Sequence, residues 1–92
     1  MLCGYVEEKK RLNDIETSIA DLEKGSRSIR HEDIEITLKD MTLRLDNLDS
    51  LCNHETNKVR RDDARRRVAA LRSSYQHVTK ALSNYMKRRG VL

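Results

Sequence analysis

The stretch IEITLKDMTLRLDNLDSLCNHETN (residues 34–57) carries two apolar lines and then a break. Ile34, Leu38, Met41, Leu45, Leu48 and Cys52 follow one another at steps of three and four, which stacks their side chains on one side of an α-helix. A strand alternates every second position and usually runs about 5–6 residues, so this longer pattern is helical. It ends in CNHETN (52–57), where Thr56 or Asn57 offers a side-chain oxygen to cap a following helix.

Upstream, EKGSRS (23–28) supplies a second break. Gly25 favours the left-handed backbone that closes a helix, and Ser26 or Ser28 offers a cap for the next. The two breaks predict helices over roughly 5–24, 29–52 and 58–89. The first carries Tyr5, Leu12, Ile15, Ile19 and Leu22, with Glu8 interrupting the stripe. The third carries Ala64, Val68, Leu71, Tyr75, Val78, Leu82 and Tyr85 without interruption. Asp62 and Asp63 stand near its positive end, and Lys87, Arg88 and Arg89 precede the stop at Gly90.

Composition agrees with helices. The 92 residues include no proline, tryptophan or phenylalanine and only three glycines, and 37% are charged. Such a chain forms one domain, 1–92, which buries a little over 60% of its unfolded surface. Short connections make neighbouring helices antiparallel, so the expected fold is an all-α, up-down-up three-helix bundle. A long two-stranded coiled coil is the alternative use of the same stripes.

Several function classes find no support. Cys3 and Cys52 do not make a disulfide framework, nothing resembles a signal peptide, and no apolar run reaches the roughly 18 residues of a membrane span. A reduced, cytosol-facing location follows. Cys52 and His54 lack the second pair of ligands that a zinc site needs. His31, His54 and His77 are scattered, and there is no glycine-rich phosphate loop. The expectation is a non-enzyme without cofactor or metal.

The arginines pose a sharper question. RRDDARRRVAALR (60–72) holds six of them, including the run Arg65, Arg66 and Arg67. From residue 58 onward, eleven basic residues face two acidic ones, for +9; before it, eight face thirteen, for −5. An acidic front folded on a basic third helix is self-complementary, which predicts lower stability at high salt. The alternatives are a phosphate-binding face for RNA and contact with an anionic membrane. The helix offers only Tyr75 and Tyr85 for base stacking, and both belong to its stripe.

A second apolar line, Ile29, Ile36 and Leu43, recurs every seventh residue on the side opposite Leu38, Met41 and Leu45. Lone exposed apolar residues are common. A line at heptad spacing can instead seat another helix, and it is the candidate partner-binding site.

The segment ARRRVAALRSSYQHVTKALSNYMKRR (64–89) resembles the N-terminal domain of the membrin family, Golgi SNAREs of the Qb type. The resemblance runs through Ala64, Arg65, Arg67, Val68, Leu71, Gln76, His77, Ala81, Leu82, Asn84, Arg88 and Arg89, with Tyr85 where an aromatic is expected. RLDNLDSL (44–51) is similar to the family's second helix, and Asn57–Lys58 to its loop; the prolines of that loop are missing here. The resemblance implies a regulatory, protein-binding Habc-like bundle in a tail-anchored SNARE. Such a protein works in transport between endoplasmic reticulum and Golgi and within the Golgi, on the cytosolic face of those membranes. Fusion would belong to a following SNARE motif and membrane anchor, so the sequence, ending in RRGVL, reads as a fragment. Implied partners are other Golgi SNAREs, the protein's own SNARE motif, or tethering and sorting proteins. The rival expectation is a free-standing helical adaptor or a basic RNA-binding bundle.

Overall fold

The computed structural model describes residues 5–90 and contains three α-helices, with no strand among these residues. They are α1 (Tyr5–Glu23), α2 (His31–His54) and α3 (Lys58–Arg88). The molecule measures 48 × 21 × 16 Å, and the 31 residues of α3 span its length at about 1.5 Å per residue.

Side-chain ties fix the directions. Rising numbers on α2 meet falling numbers on α3: Tyr75 reaches Leu38 and Thr42, Arg72 reaches Asp46 and Asp49, and Arg65 reaches Asn53. These two helices are therefore antiparallel. α1 runs parallel to α3, with Tyr5 beside Arg67 and Glu23 beside Arg88. The topology is up-down-up, as the short connections require. α1 and α2 each pack chiefly on α3 and touch each other less.

The stripes become the core. Leu12, Ile15, Ile19 and Leu22 of α1 meet all six stripe residues of α2 and Val68, Leu71, Val78 and Leu82 of α3. Met41 and Leu45, both 0% exposed, mark its centre. Ala64, Tyr75 and Tyr85 sit at its margin, half-buried. Met86, which the spacing did not select, is buried beyond Tyr85.

The ends obey capping rules with one departure. After α1, Gly25 takes φ 90°; its N–H donates to the Leu22 carbonyl, and that of Ser26 donates to the Asp21 carbonyl, the pairing of a Schellman stop. The Asn57 side chain accepts the Arg60 N–H at 3.1 Å and starts α3. Gly90, with φ 74°, follows its last turn. The expected serine cap of α2 does not form. Ser26 and Ser28 hydroxyls bond each other at 3.0 Å, and α2 begins after Arg30, which makes no side-chain cap. Ile29 consequently lies in the connection rather than in a helix.

Candidate interaction surface

α2 turns one face inward and presents the opposite one to solvent. On the outward face Ile36 is 65% and Leu43 69% exposed, two helical turns apart, as their seven-residue step dictates. Ile29, the third member of the line, is half-buried and packs against the core. The helix thus holds two members of the line, and the connection holds the third at its edge. Leu51, further along α2, is also exposed. The rim is mainly acidic: Glu32, Asp33 and Asp40 are exposed beside one lysine, Lys39.

The α2–α3 seam keeps that face fixed. The Tyr75 hydroxyl lies 2.7 Å from the Thr42 hydroxyl and donates to the Leu38 carbonyl at 3.2 Å. One turn on, Arg72 forks between Asp46 and Asp49. These hydrogen bonds, Asp46 first and then Asp49, push the Arg72 pKa above its ordinary value. Deeper in the seam, burial raises the Cys52 thiol, which therefore stays protonated near neutral pH.

The arginine run does not form one surface. Arg65 donates to the Asn53 side chain at 3.1 Å. Arg67 pairs with Asp63 of its own helix at 3.1 Å and stacks over the Tyr5 ring on the α1 side, 5.5 Å from its centroid. Arg66 is exposed and has no carboxylate partner among the described residues. The three point towards α2, solvent and α1 respectively, so they do not line up as a phosphate track. Pairing between the acidic front and the basic helix is narrower than the charge totals suggest, resting on Arg72 with Asp46 and Asp49 and on Arg88 with Glu23.

One residue was visible only as an interruption. Glu8 occupies a stripe position of α1 and is 4% exposed. Its Oε1 accepts from Arg44 at 3.3 Å, while Oε2 is buried without a hydrogen-bond partner among the described residues. Arg44 also holds Asp40 at 2.8 Å, and these bonds, Asp40 before Glu8, raise the Arg44 pKa.

The family described as BOS1/GOSR2/MEM11, N-terminal domain, matches residues 4–91. The chain belongs to this family. The match takes in α1, which the residues that carry the sequence resemblance do not reach. It makes the three-helix bundle the N-terminal domain of a non-enzymatic Golgi SNARE family and implies a role in vesicle transport between endoplasmic reticulum and Golgi. SNARE partners follow from the same membership. No curated protein and no solved structure matches the chain. No described helix is long and apolar enough to cross a membrane, and the described residues hold no cluster of three or more potential metal ligands.

Proposed function

We propose that this bundle is the regulatory, protein-binding domain of a SNARE acting in transport between endoplasmic reticulum and Golgi and within the Golgi. Its binding surface on this reading is the outward face of α2, with Ile36 and Leu43 as anchors and Ile29 at the edge. The observation that carries it is the exposure of Ile36 and Leu43, 65% and 69%, at heptad spacing on a helix whose opposite face is fully used by the core. A second helix can lay its own apolar residues along such a line. Partners of the full-length protein would be other Golgi SNAREs, its own SNARE motif, or tethering and sorting proteins. The arginine run serves the bundle as a solvated flank in this reading.

The test is Ile36→Asp combined with Leu43→Asp in the full-length protein. Co-precipitation of Golgi SNAREs and tethering factors should fall. Because both residues are exposed, the two changes together should cost no more than about 1 kcal/mol, a shift of the melting midpoint below about 8 °C. Undiminished co-precipitation with intact folding would refute the assignment. A collapse of helicity would mean that these side chains support the fold.

A further inference from the structure

Folding divides the cations of α3 into two sets. Arg65, Arg72 and Arg88 reach across to Asn53, to Asp46 and Asp49, and to Glu23, and Arg67 covers the Tyr5 ring. Arg66, Lys80 and Lys87 are exposed and hold no carboxylate among the described residues. They share one line of seven-residue steps: Val59, Arg66, Ser73, Lys80 and Lys87. A heptad line drifts by only about 20° per step on a straight helix, so these residues stay on one side. That side faces outward, because Val68, Leu71, Val78 and Leu82 are buried on the other. Val59 is 76% exposed, more than any other large apolar residue described, and the exposed Lys58 and Arg60 flank it. Between the cations the side chains are short, with Ala69 and Ser73 exposed. Asp62 is the single carboxylate on this side among the described residues; Asp63 turns to Arg67.

We propose that the outward side of α3 is a membrane-contact ridge, which lies on a bilayer surface rich in anionic headgroups. Val59 sits at the headgroup boundary, and Arg66, Lys80 and Lys87 meet headgroup phosphates and carboxylates. From Arg66 to Lys87 the helix rises about 32 Å in a straight row, so a flat surface meets all three cations at once. An exposed apolar residue among cations suits the interface between headgroups and acyl chains, and the attractions of several cations to an anionic surface add. Neither other helix has the charge for this. α1 carries six acidic residues against three basic and α2 six against two, whereas α3 carries ten basic against two acidic. RNA fits the ridge less well, because Tyr75 and Tyr85, the rings of α3, are half-buried on its inner side and offer no base a stacking face. Since α1 and α2 pack on the far side of α3, the bundle stands on the ridge with Ile36 and Leu43 clear of the bilayer. The contact holds whether or not the α2 face binds a partner.

Flotation of the whole chain with vesicles reads the contact. The chain should bind vesicles of phosphatidylcholine mixed with phosphatidylserine, not vesicles of phosphatidylcholine alone, and binding should fall as salt shortens the screening length. Arg66→Gln, Lys80→Gln and Lys87→Gln together should weaken it on the order of a hundredfold, at roughly fivefold per cation. Lys9→Gln, Lys10→Gln and Lys24→Gln change exposed residues of α1 and the connection after it. They remove the same charge away from the ridge and should weaken binding by no more than about threefold in all. The chain has no tryptophan, so a single introduced ring reports its own surroundings. Emission from Val59→Trp should shift blue on the anionic vesicles, and emission from Ile36→Trp should not. This pair decides the matter even if the ridge variant loses helicity. The proposal is overturned if the chain ignores anionic vesicles or binds phosphatidylcholine as well. Equal losses in the two triple variants overturn it, because net charge alone would then be the attraction, and so do equal shifts at positions 59 and 36. Tighter binding to single-stranded RNA than to anionic vesicles, abolished by the ridge variant, would make the ridge a phosphate track for RNA instead.

Discussion

The seam between α2 and α3 and the seam between α1 and α2 use polar side chains in opposite ways. At α2–α3 the polar groups stand at the margin: Tyr75 on Thr42 and the Leu38 carbonyl, Arg72 on Asp46 and Asp49, Arg65 on Asn53. They set register while every stripe position beneath them stays apolar or half-buried. At α1–α2 the polar group is in the stripe, where Glu8 meets Arg44 at 3.3 Å and leaves Oε2 without a partner among the described residues. A margin residue exchanges water for a partner at little cost, whereas a stripe residue gives up water and recovers only part of it. Polar side chains at the margin therefore add to the α2–α3 seam, whereas the one in the stripe contributes less to α1–α2.

The largest effect should come from the face both seams share. Leu45 is 0% exposed, and Leu45→Ala should cost about 2–5 kcal/mol in denaturant unfolding, through lost burial and a cavity. A cost below about 1 kcal/mol would mean that the three stripes do not meet there. Next comes the contrast between the seams. Tyr75→Phe removes one hydroxyl from the α2–α3 margin and should cost about 0.5–1.5 kcal/mol. Arg88→Ala removes the exposed tie from α3 to α1 and should cost less than about 0.5 kcal/mol. Equal costs would mean that the margin hydroxyl of α2–α3 holds its helices no better than the exposed tie of α1 to α3.

Much of this arrangement was legible in the chain because helical spacing and burial are two views of one geometry. The α2 stripe, from Ile34 to Cys52, is buried throughout, and Gly25 and Asn57 stop and start helices as their side chains allow. Capping by serine failed because two hydroxyls close together can satisfy each other. Ser26 and Ser28 do so, α2 starts later, and Ile29 falls outside it. Met86 was missed because Tyr85 continued the count equally well; the structure buries the flexible thioether and leaves Tyr85 at the edge beneath Arg89. Glu8 was readable as a misfit but not as a buried charge, since its burial depends on where Arg44 of another helix lies. Charge totals likewise gave sign without partners. Which arginine meets which carboxylate depends on inter-helix register, and among the described residues only Arg72 and Arg88 of α3 reach carboxylates on the earlier helices.

That narrow pairing sharpens the last prediction, the response to salt. Between about 0.1 M and 1 M the screening length falls from about 10 Å to 3 Å, which weakens the Arg72 fork with Asp46 and Asp49. The fork is partly exposed, with the Arg72 side chain 38% accessible, so the native chain should lose no more than about 1 kcal/mol. Unpaired arginines such as Arg66 repel one another, and salt relieves that repulsion in the native chain and in variants alike. The difference between two chains therefore isolates the fork. In Arg72→Ala the carboxylates of Asp46 and Asp49 are left facing each other, and salt should now stabilise rather than weaken the seam. Midpoints of the two chains, apart at low salt, should converge as salt rises. Parallel curves would show that the fork is a surface contact of no consequence, and that Tyr75, through Thr42 and the Leu38 carbonyl, holds α2 and α3 in register with Arg65 on Asn53.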